Sequence, residues 1–297
     1  MELKYLGHLL AFVTVTIWGS TFVFTKMLLL NGLSPAQIFT LRFIVAYVLL
    51  LAFEITTRWQ SFKLFSTSWH DELVMLLLGI TGGSIYFLTE NAAMLYTTAT
   101  NTSLIVCSCP LFAMLLVALA YRQTERFTRV QVVGSLLACI GMAVVVLNGR
   151  FILHLSPLGD TLAFGACLCW AVYSLLMKSV TDRYSTFFIT RKVFFYGLLT
   201  ILPYYLVFPE FPSFEVIFSP KVLWNLLFLS VIASMVCFLV WNWVIHQLGA
   251  VLATNWVYFN PIITILFAWW LLHEHITLWF LIGSLLIIVG MILSDKK

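Results

Sequence analysis

Apolar residues in this chain fall in long blocks that do not alternate with polar ones. A helix crosses a bilayer with about 20 mostly apolar residues, whereas a barrel strand needs about 10 in alternating pattern. The blocks therefore predict helices, and there are ten: Leu6–Leu30, Pro35–Thr57, Leu73–Tyr96, Ala99–Tyr121, Val130–Asn148, Pro157–Lys178, Phe187–Phe208, Val222–Gln247, Val251–Leu272 and Thr277–Ser294. They occupy about three quarters of the chain and leave no room for a soluble domain. The first block has little positive n-region, runs long and is followed by no small-residue cleavage site, so it is expected to stay as a span.

Composition agrees with the pattern. Of the 297 residues 62% are hydrophobic and 9% charged, with a mean hydropathy of +1.02, against roughly 25% charged residues in a soluble domain. This excludes a secreted disulfide module, a nucleic-acid binder and an ordinary cytosolic enzyme. The surrounding solvent is the lipid bilayer, and the fold class is an all-α integral membrane protein. One alternating set of loops carries Lys4, Arg58, Lys63, Arg122, Arg126, Arg129, Arg183, Lys296 and Lys297, and the other only Arg150 and Lys221. The positive-inside rule then puts both termini in the cytoplasm of a multi-pass cell membrane protein, inner or plasma. The formal charge of +4 reflects this asymmetry and calls for no nucleic acid.

The sequence repeats itself. Asn91 to Pro110 lies over Asn242 to Pro261 without a gap (242−91 = 151; 261−110 = 151). Gly134 to Met142 recurs as Gly283 to Met291 at an offset of 149, which Glu125 and Glu274 share. Trp18 and Lys26 match Trp170 and Lys178 at equal spacing, and Arg42 and Arg191 follow near the start of the next span in each half. The halves are 1–150 and 151–297 with five spans each, so the second enters the membrane from the opposite side. Two inverted five-helix repeats are the architecture of secondary transporters, which turn two related halves about a midplane site.

The same residues carry a family resemblance. In Trp18-Gly-Ser, Thr40-Leu-Arg-Phe, Ala93 to Pro110, Glu125-Arg-Phe-Thr and Gly134 to Gly141, and again in Ala250 to Pro261, Glu274 and Gly283 to Gly290, the chain resembles the EamA family of the drug/metabolite transporter superfamily. The resemblance covers nearly the whole chain and implies ten helices and export of small metabolites. One departure is His273-Glu-His-Ile, where that family more often has a Gly before the Glu.

Glu90 is the only carboxylate well inside a predicted span, roughly 8–9 Å from the middle of its helix. A charge there must face protein or a wet cavity. It either binds a substrate amine or a coupled proton, or pairs with Arg42 at similar depth. Arg42 and Arg191 are placed to meet a substrate carboxylate bidentately. Asn91, Asn242 and Asn260 suit an amino-acid-like ligand, or serve as interhelical glue. Trp18, Tyr86, Trp170, Tyr173, Trp241, Trp256 and Tyr258 are deep aromatics, fit to stack a planar or apolar ligand or simply to pack. Pro110 and Pro261, at matching mid-span places, predict paired kinks. Gly134/Gly141 and Gly283/Gly290, seven apart, predict close helix packing and a homodimer seam. The six cysteines read as buried packing residues, with no metal-ligand spacing.

There is no phosphate loop, hydrolase elbow or cofactor motif, so neither nucleotide-driven transport nor catalysis is expected. The expected function is a secondary transporter that exports amino acids or related amphipathic compounds by alternating access. The alternatives are a gradient-independent facilitator for nucleobases, sugars or drugs and, more remotely, a membrane enzyme or scaffold.

Overall fold

A computed structural model describes residues 2–59, 62–97, 99–122, 127–147, 156–272 and 277–295. The motif glutamates Glu125 and Glu274, the His273–Ile276 segment, and Arg126, Arg150, Lys296 and Lys297 of the charge count lie outside them. The described residues fold as helices only. Eight helices are long and apolar enough to cross a membrane, and two shorter apolar ones complete the set. In chain order they are α1 (Glu2–Leu30), α2 (Pro35–Thr57), α3 (Trp69–Tyr96), α4 (in two pieces, Ala99–Val106 and Cys109–Ala120), α5 (Arg129–Leu147), α6 (Pro157–Val180), α7 (Thr186–Val207), α8 (Pro220–Leu248), α9 (beginning Ala250–Asn255 and ending Asn260–Leu272) and α10 (Leu278–Asp295).

The repeat is visible in the details of the helices. Ser34 caps α2, accepting the Gln37 N–H while the Gln37 side chain accepts the Ser34 N–H. Its mate Ser185 (185−34 = 151) caps α7 by accepting the Phe188 N–H. These capping bonds satisfy orphan donors of the first turn. The π-helical stretch Ile80–Ser84 in α3 is matched by Phe228–Val236 in α8 at the same offset (80+151 = 231). Hydropathy does not see these stretches, because they change the register of the hydrogen-bond ladder and not the run of apolar residues.

Both proline-bearing spans are interrupted. In α4 the helix stops at Val106 and restarts at Cys109, with Pro110 in its first turn. In α9 the matching place is a 3₁₀ turn, Trp256–Phe259, just before Pro261. Each proline lacks an N–H and crowds the carbonyl four residues back, at Val106 and Val257, which locates the breaks.

Three spans start two or more residues earlier than hydropathy predicts, at Glu2, Trp69 and Pro220 where Leu6, Leu73 and Val222 were expected. For α3 the cause is plain: Ser68 caps the helix, and Asp71 and Glu72 in its first turn are buried with partners of their own.

The four glycines of the seven-residue spacing are consumed within the chain. Helices α5 and α10 pack against each other so closely that a Cβ on Gly141 would come within 2.7 Å of the Gly283 carbonyl. Ser135 and Ser294 join the same seam through their hydroxyls at 2.9 Å. The surface that suggested a homodimer seam is therefore an internal helix pair.

Candidate functional site

Between the two halves lies a small cavity of about 30 Å³. Every helix except α5, α7 and α10 contributes to its wall: Trp18, Thr21 and Phe22 from α1, Arg42 from α2, Tyr86, Phe87 and Glu90 from α3, Val106 and Cys109 from α4, Trp170 from α6, Phe238 from α8, and Val257 and Asn260 from α9. The last four residues from α4 and α9 flank or occupy the two helix breaks. Irregular backbone at membrane depth is tolerated where it lines a cavity or is buried in protein.

The aromatic part is tightly made. Trp18 meets Trp170 edge to face at 5.4 Å between centroids, and Tyr86 leans on Trp170 at 5.1 Å. Phe87 and Phe238 are repeat mates (238−87 = 151) and both line the wall. Trp18 donates its indole N–H to the Ala233 carbonyl at 2.9 Å, inside the π-helical stretch of α8.

The polar part is left open. Glu90 accepts the Tyr86 hydroxyl at 2.7 Å. Arg42 gives its Nε–H to Ser234 and lays its guanidinium over the Phe87 ring at 4.6 Å. The pairing of Glu90 with Arg42 expected from their depths is not formed: no ion pair joins them among the described residues, although both line the cavity. Ser234 and the Phe87 ring hold the guanidinium, and Tyr86 holds the carboxylate. Two further groups lack partners here, the Trp170 indole N–H and the Asn260 Oδ1.

The remaining sequence candidates sit elsewhere. Tyr173 and Trp241 back the cavity wall: Tyr173 stacks on Trp170 at 5.1 Å, and Trp241 packs on Trp18 at 5.0 Å. Asn242 accepts the Tyr173 hydroxyl at 2.6 Å and donates to Thr190 at 2.9 Å. Asn91 donates to the Pro35 carbonyl at 3.2 Å. Tyr258 is fully buried, its hydroxyl unpartnered. Trp256 belongs to a separate apolar pocket with His8, Phe12 and Asn255, between α1, α9 and α10. Pro110 and Pro261 shape the breaks but do not line the cavity.

Arg191 lies outside the cavity wall and forms an ion pair instead. Its Nε lies 2.5 Å from Glu54 of α2, it donates to the Lys63 carbonyl, and it stacks on the Phe62 ring at 4.3 Å. It belongs to a charge cluster at the end of the bundle that holds residues 62–68 and the Thr181–Ser185 turn. There Glu72 of α3 takes Lys192 and Tyr196 of α7 and the Ser66 N–H at 2.7 Å. Asp71 pairs with Arg183 at 2.6 Å and accepts the Tyr184 hydroxyl at 2.7 Å. Every one of these ion pairs ties the first repeat to the second. Sequence reasoning missed this cluster because its acids stand near span ends, where solvated charges are the ordinary expectation. It also missed Thr21, Phe22, Phe87, Val106, Cys109, Ser234, Phe238 and Val257. For Phe87 and Phe238 the signal was present, since the gapless repeat pairs them beside Glu90 and Trp241. Among the described residues no group of acids, histidines and cysteines is arranged to hold a metal ion, and the six cysteines are free thiols.

The pattern that defines the "EamA-like transporter family" matches residues 5–147 and 157–294. An "Uncharacterized transporter" of Archaeoglobus fulgidus is 28% identical over 294 residues, covering 98% of this chain and 97% of its own. The "Uncharacterized transporter YoaV" of Bacillus subtilis is 24% identical, covering 96% of both chains. A "Probable terminal-alkyne amino-acid exporter" of Streptantibioticus cattleyicolor is 25% identical over 227 residues, 76% of this chain and 74% of that one. One crystal structure superposes with a TM-score of 0.75 at 16% identity, covering 97% of each chain, a likeness of fold alone.

Proposed function

The chain belongs to the EamA-like transporter family, and from that premise we propose that it exports amino acids or related amphipathic metabolites by alternating access to the cavity between its halves. The observation that carries this reading is the pair of opposite charges in one small cavity, Arg42 and Glu90, that do not satisfy each other. Burying two charges without pairing them is costly, and the cost is recovered when a ligand of matching charges enters. A zwitterion supplies a carboxylate for Arg42 and an ammonium for Glu90. The rings of Trp18, Tyr86, Trp170 and Phe238 then offer a face for an aromatic or apolar side chain. The name of the Streptantibioticus relative points to the same class of cargo. The lysine and arginine bias of the loops supports cytoplasmic termini and a place in the plasma or inner membrane.

Glu90 is also the group that suits a coupled proton; its titratable neighbours on the cavity wall are Arg42, Tyr86 and Cys109. The test is thermal stabilisation of the purified protein by a panel of amino acids, nucleobases, sugars and cationic drugs. A ligand at 100 times its Kd stabilises the folded state by about 2.7 kcal/mol. Aromatic amino acids are expected to raise the melting temperature, and Glu90→Gln is expected to abolish both that shift and any pH dependence of transport. Stabilisation by uncharged nucleobases or sugars, unchanged in Glu90→Gln, would replace this reading with that of a gradient-independent facilitator.

A further inference from the structure

The two halves carry the same indole at the same place and use it differently. Trp18 and Trp170 are repeat mates (170−18 = 152), and both line the cavity. The Trp18 N–H is committed to the Ala233 carbonyl at 2.9 Å. That carbonyl belongs to a π-helical stretch, where the displaced ladder leaves backbone oxygens available to side chains. The matching residue in the other half is Gly82 (233−151 = 82), also within a π-helical stretch. Here, though, the Tyr173 ring lies over the glycine, in space that a Cβ would fill, and stacks on Trp170 at 5.1 Å. With Tyr173 tied to Asn242 at 2.6 Å, Trp170 takes no backbone acceptor, and its N–H is buried without any hydrogen-bond partner.

A buried donor left unmade lowers stability, and nearly all such groups in folded proteins are satisfied. In this cavity the unpaired donors are the Trp170 N–H and the Arg42 guanidinium outside its Nε, and the unpaired acceptor beside Glu90 is the Asn260 Oδ1. Donors suit a carboxylate and acceptors suit an ammonium.

Resting on the amino-acid reading above, we propose that the Trp170 indole N–H is the second donor to the ligand's carboxylate, beside Arg42, while Asn260 joins Glu90 at the ammonium. Trp18, held by backbone, shapes the cavity and makes no such bond. The duplicated tryptophan thus divides into one that frames the site and one that reads the ligand, and Tyr173 keeps them apart in role by covering the acceptor that Trp170 would otherwise take.

The experiment labels the indole nitrogens of the 11 tryptophans with ¹⁵N in protein held in lipid nanodiscs, and assigns two resonances by their loss in Trp18→Phe and Trp170→Phe. L-phenylalanine is the probe. Without it, the Trp18 resonance is expected at a hydrogen-bonded position and that of Trp170 at an unbonded one. On saturation the Trp170 resonance moves downfield and the Trp18 resonance stays. Trp170→Phe keeps an aromatic ring and loses the donor, so it is expected to weaken L-phenylalanine roughly tenfold with little change in melting temperature. Trp18→Phe is expected to lower the melting temperature, while the Trp170 resonance still moves downfield on saturation with L-phenylalanine. The assignment is overturned if the Trp170 N–H is already bonded without ligand, if L-phenylalanine binds and leaves its resonance in place, or if Trp170→Phe binds as tightly as the native protein. Failure of the native protein to bind L-phenylalanine at all removes the amino-acid reading first, and this assignment with it.

Discussion

Arg42 and Arg191 lie eight and six residues past the caps Ser34 and Ser185, near but not at matching places on α2 and α7, and meet different surroundings. Arg191 is locked to Glu54 at 2.5 Å, whereas Arg42 has a serine hydroxyl and an aromatic face but no carboxylate. The energetic consequences are opposite. Removing one partner of a buried ion pair strands the other, so Glu54→Gln is expected to cost about 3 kcal/mol in unfolding free energy. Removing both unpaired charges of the cavity strands no charge. The double substitution Arg42→Met with Glu90→Gln is therefore expected to leave the melting temperature equal to or above that of the native protein, while abolishing ligand-induced stabilisation. Thermal melts of both variants in one detergent decide the matter. A large destabilisation by the double substitution would mean that the two charges hold the fold together and are not kept for a ligand. At this scale the sequence showed depth but not direction. Counting residues along a span pointed to Glu90, Trp18, Tyr86, Trp170, Arg42 and Asn260, all of which the structure places on the cavity wall. It pointed to Trp241, Asn242, Tyr173 and Tyr258 too, although they turn into the packing behind the wall. Phe238 and Trp241 lie on the same helix three residues apart, and only the neighbours of α8 determine which of them meets the cavity.

Among the elements, α5 and α10 are the pair whose geometry leaves least latitude. Gly134, Gly141, Gly283 and Gly290 let the two backbones touch: a Cβ on Gly283 would come within 2.7 Å of the Val145 N. Nothing flexible is there to give way. Gly141→Leu is expected to destabilise the protein by about 3 kcal/mol, the upper end of the ordinary overpacking cost, because the obstacle is backbone. Gly165→Ala serves as the control, since its Cβ would meet only the Thr89 methyl at an ordinary 3.8 Å. Melting of the two variants side by side checks this, and equal stability would show that the helices can part without cost. The glycine spacing was legible in the sequence, but its partner was not, since a small-residue face fits a second copy as well as a second helix of the same chain. The ten spans, the repeat and the proline breaks were legible because each follows from apolar length, identity at fixed offset or a missing N–H. The π-helical stretches in α3 and α8 were not, because no residue type announces them.

At the scale of the whole molecule, an inverted repeat makes the reverse-facing state resemble this one with the roles of the halves exchanged. Contacts that one half makes and the other lacks are then the ones that give the two states unequal energies. The charge cluster is such a contact. Arg191 closes one end by holding Glu54, and at the offset set by the two caps the matching pair in the other half is Thr40 with Tyr205 (191−151 = 40; 54+151 = 205), joined only by a neutral hydrogen bond at 2.9 Å. Glu72 with Lys192 and Asp71 with Arg183 add to the same end. On the alternating-access reading proposed above, the protein alone then favours the state in which this charged end is shut, since the matching pair is neutral. Two outcomes follow. Glu54→Gln is expected to speed hydrogen exchange at the first turns of α7, from Thr186, while the amides of α5 and α10 keep their protection. Ligand is expected to slow exchange around Arg42 and Glu90 in the native protein. Uniform acceleration across all ten helices in Glu54→Gln would identify the pair as plain structural support. Selective acceleration at the α7 end would identify it as the latch that sets which way the empty protein faces.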